Sequence, residues 1–459
     1  MPLFSKNKSV GLDLGHASVK SVSLSISGNE VVFEDSRIFN AREEGILDEA
    51  ELRASVAEWL NQNGLAQFEI TAGLPQYLAT TQVSDFPPGA GQSLDEMVDY
   101  ETQQLGGLSE EAFIHDYHVM PPNFGRKNPV LIGICRESVV REMAEGLTSA
   151  GIPVADLGMS GIAMANTFIS LHPDKAHDEN PQLLVDIGEE NSTMIVIAGG
   201  QILFIGTLVF GAASITEALA KHLEMPENEA EKAKKTARLN PGDIQSPLYK
   251  RMQHLEGELR TAVEHWRAQE RAEIANKQFA HVWLSGGTAK LAGITDYFSR
   301  TYGCAATVYG PIAPGSDGGK PDPSLVTAYG LALQGLGRAP AEVSMSPRDM
   351  AWQREREKRF VYLLAAVIML AALLGSVMVR THSKLVAEAS MLSDSLDELR
   401  QCERLIPQLE NTIEAIRHSE KIVLPFAEKG NRARSFRETL ERLAASHKEG
   451  DWFIYLADE

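Results

Sequence analysis

"SVGLDLGHASVKSVSLSISGNEVVFED", Ser9 to Asp35, decides the fold. An apolar run ends on Asp13-Leu14-Gly15, a short polar turn carries His16 and Lys20, and alternating residues then read as a hairpin turning at Gly28. A second stretch, "LLVDIGEENSTMIVIAGGQILFIG", repeats that order. Asp13 precedes the turn glycine Gly28 by 15 residues and Asp186 precedes Gly200 by 14. Two similar starts far apart in one chain predict a duplicated α/β unit. A third junction, "HVWLSGGTAKLAGI", puts a buried strand at Val282 to Leu284 before Gly286-Gly287, with a helix expected after Thr288.

These three strand ends carry the chemistry. Glycine after an Asp-terminated strand lets backbone N–H groups close on phosphate oxygens, and two carboxylates at facing strand ends can hold a hydrated Mg²⁺ that neutralises them. Asp13 and Asp186 are the candidate metal ligands, and Lys20 adds a point charge. A nucleotide between two halves of an α/β fold is the expectation.

Between the repeats, "DFPPGAGQSLDEMVDYETQQL" through "PVLIGICRESVVREMAEGLTSAGIPVADL" has its own α/β alternation, so a small subdomain is expected over residues 84–158. "PGSDGGKPDP" reads as a surface loop and "GRAPAEVSMSPRD" as a linker. Then comes "FVYLLAAVIMLAALLGSVMV", Phe360 to Val379, without a charge. At about 1.5 Å per residue such a helix spans a bilayer core of roughly 30 Å. Arg348, Arg354, Arg356, Lys358 and Arg359 precede it, whereas Arg380 and Lys384 follow. The positive-inside rule puts the N-terminal part in the cytoplasm and the rest across the membrane. Beyond the span, Leu385, Ala389, Leu392, Leu396, Leu399, Cys402, Ile406, Leu409, Ile413 and Ile416 recur at steps of three and four, which predicts a coiled-coil stalk over 384–420, kinked at Pro407. Residues 431–459 read as a helix, a glycine turn and a strand, too little to close a core alone.

With 43 Lys and Arg against 62 Asp and Glu, the net charge of −19 excludes nucleic acid as the main partner. Cys135, Cys304 and Cys402 are too scattered for a disulfide framework or a thiolate zinc site, although Cys402 could cross-link two parallel stalks of a homodimer. "MPLFSKNKSV" lacks the apolar core of a signal peptide. His115 and His118 sit three apart on an expected strand and so face opposite sides, which excludes one shared metal site.

The segments "GLDLGHASVK", "LLVDIGEENSTMIVIAGG", "FGAASITEALAKHL", "NEAEKAKK", "VWLSGGTAKLAGI" and "PSLVTAYGLALQG" resemble, in order, the phosphate, connecting and adenosine segments of the actin superfamily. Within it they look most like the PilM family of type IV pilus assembly proteins, relatives of FtsA. The resemblance covers residues 8 to 338 and implies a duplicated actin-like fold with ATP and Mg²⁺ between its halves. It puts Asp13, Gly15, His16 and Lys20 at the first phosphate loop, Asp186 and Gly188 at the second, and Gly211 after the second hairpin. Glu231 and Lys234 would lie near ribose and base, with Gly286, Gly287 and Lys290 bounding the adenine pocket.

The remainder resembles the PilN family, which has a short cytoplasmic peptide, one span, a coiled coil and a ferredoxin-like periplasmic domain. Val343 to Pro347 keeps the apolar–polar pattern before a proline that the family's docking peptide has. A PilM–PilN fusion is therefore implied: an inner-membrane scaffold of type IV pilus assembly and twitching motility. Its implied partners are PilO-like and PilN-like periplasmic coiled coils, the cytoplasmic motor ATPase and the platform protein. A GspL-like component of type II secretion and an actin-fold small-molecule kinase are the alternatives. Hydrolysis needs a group that orients water, and at Ser160-Gly161, where relatives carry an acidic residue, there is neither carboxylate nor glutamine. Binding of ATP without brisk turnover is the expectation.

Overall fold

The computed structural model describes residues 8–46, 48–86, 93–106, 111–240, 242–413 and 420–446. The opening stretch folds as read. β1 (Lys8–Leu14), β2 (Val19–Ser27) and β3 (Glu30–Phe39) form an antiparallel meander, and α1 (Glu49–Gln62), N-capped by Asp48, returns the chain to β4 (Glu69–Leu74) beside β1. The chain then leaves this sheet. β5 (Ala79–Asp85), α2 (Leu94–Gly106), β6 (Phe113–Val119), β7 (Pro129–Arg136) and α3 (Glu137–Ser149) build a separate three-stranded sheet in the order β5-β7-β6. β8 (Val154–Met159) rejoins the first sheet, giving the order β3-β2-β1-β4-β8, and leads into the apolar helix α4 (Ser160–Leu171).

After the short α5 (Pro173–Ala176), the second half repeats the plan. β9 (Gln182–Ile187), β10 (Ser192–Ala198) and β11 (Gln201–Leu208) form the meander. Helices α6 (Ala213–Leu223), α7 (Glu227–Thr236), α8 (Pro247–Gln269) and α9 (Ala272–Ala275) precede β12 (His281–Ser285). Then come α10 (Ile294–Tyr302), β13 (Ala305–Val308) and α11 (Val326–Gly335). The order β11-β10-β9-β12-β13 matches the first sheet strand for strand, antiparallel on one side of β9 and parallel on the other. The duplication anticipated from two Asp-Gly hairpins is thus one of whole sheets.

Three expectations differ in detail. The subdomain expected over 84–158 has its sheet start at Ala79, and Val154–Met159 is a strand of the first main sheet instead. The helix expected straight after Thr288 is a 3₁₀ turn, Gly287–Lys290, with α10 starting at Ile294. The charges of "EHWRAQERAEIANK", Glu264 to Lys277, predict a solvent-exposed helix face, whereas α8 ends within it at Gln269 and Trp266 is buried.

α4 and α11 are apolar nearly all round because they pack between the two sheets. They cross at Gly330, where an added Cβ would stand 1.9 Å from the Ala163 carbonyl oxygen. Backbone cannot yield there as a flexible side chain can. Gly330→Ala is expected to cost about 3 kcal/mol of stability, read by denaturant unfolding of the full chain.

The chain divides into two units, Met1–Glu355 and Arg356–Glu459. The second holds most of α12 (Arg348–Ile413) and all of α13 (Glu420–Ser446). Within α12 the segment Ala366–Gln401 is long and apolar enough to cross a membrane, with a mean hydropathy of 1.5 in its best window. The helix runs on through Pro407 to Ile413. Residues 414–419 of the expected stalk, and the glycine turn and strand expected within 447–459, lie outside the described residues.

Candidate functional site

The two meanders face each other across a cleft of about 630 Å³, within the range of small-ligand sites. Register sets its floor. In the β1–β2 hairpin Asp13 lies opposite Lys20, and Lys20 Nζ reaches Asp13 Oδ2 at 3.4 Å and the Ser18 carbonyl at 3.2 Å. In the second sheet Ser285 on β12 is the neighbour of Asp186 on β9, and its hydroxyl donates to Asp186 Oδ2 at 2.8 Å.

Burial, with a smaller push from the Asp13 charge, raises the Asp186 carboxyl to about 6 against the lowering effects of the Ser285 bond and of Lys20. Two carboxylates that repel each other, with a single lysine paired to one of them, form an oxygen donor set that a hard dication would relieve. Mg²⁺ fits this pair on those grounds. Gly286, at φ 86°, lies with its α-carbon against the Ile187 backbone, where a Cβ would stand 2.5 Å from the Ile187 carbonyl oxygen. Only glycine lets the third loop close on the second.

Of the residues singled out in the sequence, Asp13, Gly15, His16, Lys20, Asp186, Gly188, Glu231, Lys234, Gly286, Gly287 and Lys290 all line this cleft. Gly211 does not; it packs on the backbone of Glu189 and Glu190, 2.2 Å from the Glu189 carbonyl oxygen to an added Cβ. Lys234 is buried and held by Glu231 at 2.6 Å, Glu189 at 3.6 Å and the Thr216 hydroxyl at 2.9 Å. Lys290 pairs with Asp322 at 2.8 Å. His16 meets Glu190 at 3.2 Å, so the first loop touches the second directly.

Sequence reading missed the residues that cross the mouth. Arg42, on the turn after β3, pairs with Glu189, and Glu43 pairs with Lys235 at 3.4 Å. It also missed Gln76 and Thr193, which line the cleft together with Ser160. No spacing rule joins positions so far apart in the chain, and the acidic pair "EE" at 189–190 was the one visible hint of cationic partners.

The family model for type IV pilus assembly protein PilM matches residues 11–336. The chain belongs to the PilM family. A solved PilM-PilN type IV pilus biogenesis complex is similar to this PilM-type chain at 21% identity and a TM-score of 0.58, covering 72% of this chain and 98% of that one. The likeness extends, at a TM-score of 0.40, to the ethanolamine utilization protein EutJ from Carboxydothermus hydrogenoformans, at 19% identity over 72% of this chain and 90% of that one. MreB5 of Spiroplasma citri bound to ADP matches at 11% identity and a TM-score of 0.40, over 71% of this chain and 94% of that one. The fold is actin-like.

Beyond the matched residues, this PilM-type unit holds its own continuation. Ala341, Val343 and Met345 are buried, on alternate positions of an extended segment. Ser344 bridges antiparallel to Gly158 on β8, the edge strand of the first sheet, and Met345 N donates to the Leu157 carbonyl at 2.8 Å. The segment thus adds itself to the sheet edge. Asn166 bonds both backbone groups of Ala341, at 2.7 and 2.8 Å. Asp156 accepts from the hydroxyls of Ser344 and Ser346 and from Gln334 Nε2. On the other side, β6 of the subdomain supplies Asp116, which accepts from Ser344 N at 2.7 Å, and His118, which faces Glu342 N. Burial pushes the Asp116 carboxyl up and holds the His118 ring below its ordinary range, so the histidine is a neutral acceptor. His115, on the opposite face of β6, pairs with Asp99 at 2.8 Å.

Proposed function

We propose that this chain is a membrane-anchored, nucleotide-holding scaffold of type IV pilus assembly, a PilM-type domain that carries its PilN-like docking segment and membrane span in cis. The observation that carries this reading is the seating of Ala341 to Ser346 along β8, directly before the helix that contains Ala366–Gln401. A covalently joined segment docks at a high effective concentration, without a bimolecular step. The groove it fills is then closed to a PilN-like peptide from another chain. Partners engage instead through the region beyond the span, where PilO-like and PilN-like coiled coils or a second copy are the candidates, and through the cytoplasmic face, where the motor ATPase and platform protein would meet it. The N-terminal unit lies in the cytoplasm and the chain crosses the inner membrane once.

ATP with Mg²⁺ is the proposed ligand. Asp13 and Asp186 hold the ion, Lys20 and the loops at Gly15 and Gly188 hold the phosphates, and Glu231, Lys234 and the Gly286-Gly287 turn hold the nucleoside. Ser160-Gly161 offers no carboxylate to activate water, so holding dominates over turnover. The test is a thermal-shift measurement on the full chain in detergent. Mg-ATP at a hundred times its Kd is expected to add about 2.7 kcal/mol of stability, and Asp13→Ala is expected to remove that gain. An unchanged melting curve with Mg-ATP would sink the nucleotide reading. Loss of surface fibres in a deletion strain separates the pilus assignment from type II secretion.

A further inference from the structure

Among the described residues, three contacts between acidic and basic side chains cross the mouth of the cleft. Arg42 pairs with Glu189, Glu43 Oε1 lies 3.4 Å from Lys235 Nζ, and His16 Nε2 lies 3.2 Å from Glu190 Oε2. Each joins a turn of the first half to the second half, and all of these residues line the cleft. Their signs interlock. The second half presents the acids Glu189 and Glu190 with the base Lys235, and the first half answers with the bases Arg42 and His16 and the acid Glu43. Such a match holds in one relative setting of the two halves and is lost when they shift. Backbone bonds hold the turns that carry it: Arg42 N donates to the Ala17 carbonyl at 3.2 Å, beside His16, and the Glu189 carbonyl accepts from Ala213 N at 2.9 Å.

The inserted subdomain is joined to the second half in a different way. Arg126 and Glu270 pair at 2.7 Å with side chains only 9% and 2% exposed. Parting a pair so buried leaves an uncompensated charge, so that joint stays made. At the mouth, the Glu43 and Lys235 side chains are 63% and 59% exposed. Water takes the place of either partner when such a pair parts, and each pair of this kind shifts an equilibrium by only about two- to fivefold. One joint lasts and the other opens and closes. We propose that the contacts at the mouth are a latch, which holds the two halves closed with or without a nucleotide between them and sets how fast the nucleotide enters and leaves. The inference rests on the nucleotide-holding reading. The latch residues bind one another, so they favour the closed form equally in the free and the bound protein. A contribution common to both states cancels from the affinity. It does not cancel from the rates, because the halves must part before the ligand passes in either direction. The latch therefore lengthens residence without tightening binding.

The test is rapid-filtration binding of radiolabelled ATP with Mg²⁺ to the full chain in detergent, with dissociation followed after a chase of unlabelled ATP. The double variant Arg42→Ala/Glu43→Lys releases two of the three contacts at exposed positions. Its association and dissociation rate constants are both expected to rise about tenfold, with Kd within about twofold of the native value. Glu43→Lys alone is expected to raise both about fivefold. Adding Lys235→Glu to it restores the pair with reversed signs and the native net charge, and should bring both rates back. Loss of a direct contact to the ligand would instead raise dissociation alone and weaken Kd, and a change in long-range steering would move association alone. Either result overturns the latch. So do unchanged rates in the variants, and so does a reversed pair that fails to restore them. A folded native chain that binds no ATP at all overturns the nucleotide reading, and the latch with it.

Discussion

Asp186→Asn is expected to stabilise the nucleotide-free protein while abolishing its response to magnesium nucleotide. The two effects have one cause. Burial and the Asp13 charge raise this carboxyl to about 6 from an ordinary 3.8, so the folded chain holds the proton more tightly than the unfolded chain does. Between those two values the folded state binds more protons, and stability falls as pH rises through the window. Above pH 6 the whole penalty is present. A shift of that size corresponds to about 3 kcal/mol. Asparagine keeps an oxygen to accept the Ser285 hydroxyl and carries no charge, so the variant escapes the penalty. Denaturant unfolding at pH 8 should show it more stable than the native chain by about 3 kcal/mol, and the two should converge towards pH 4. The same substitution leaves Asp13 alone to face a divalent ion. Mg-ATP, which should raise the melting temperature of the native chain, should then leave that of the variant unmoved. A variant equally destabilised at both pH values would mean that Asp186 is a structural carboxylate, satisfied by its neighbours rather than waiting for a cation.

How much of this could be read from the chain follows the range of each interaction. The Asp13–Lys20 and Asp186–Ser285 neighbours stand on strand registers, and a register follows from local alternation and a turn glycine, which the sequence displays. The helix long and apolar enough to cross a membrane was equally legible, because an uncharged run of that length stands out in the sequence. The end of the inserted subdomain was not. β8 carries the same α/β rhythm as the insertion before it, and only pairing with β4, more than 80 residues earlier, assigns it to the main sheet. The mouth of the cleft was hidden for the same reason: Arg42 and Glu189 are 147 positions apart, and no period links them. Gln76 had no signal at all. An amide after "GLP" reads as an ordinary turn residue until burial removes its partners. The alternation Ala341, Val343, Met345 was visible in a stretch expected as a linker, yet five residues of alternation do not say which sheet edge they meet.

Val343→Asp is expected to expel the segment from its groove while leaving the rest of the N-terminal unit folded. Val343 is fully buried, with Cγ1 and the Met345 methyl crowding the α-carbon of Gly133 on β7; an added Cβ there would meet them at 2.8 and 3.1 Å. A carboxylate in that place would join Asp116 and Asp156, which already line the groove. Keeping an unpaired charge there costs several kcal/mol, more than a strand of six residues recovers by docking. The segment is expected to leave, since β8 keeps its pairing with β4 without it. Hydrogen exchange should report this locally. The Ala341 and Met345 amides, now bonded to Asn166 and Leu157, should exchange at least about a hundredfold faster, while amides of β9 and β12 keep their protection. The vacated groove keeps Asp156, Gln334 and Asn166 in place, so a synthetic peptide with the sequence of residues 339–347 should bind the variant and fail to bind the native chain. That contrast separates a tether held in cis from a groove open to other chains. Equal peptide binding by both proteins would show the native segment to be loosely held, and uniform loss of protection across both sheets would make residues 341–346 part of the fold's foundation instead of a docked tether.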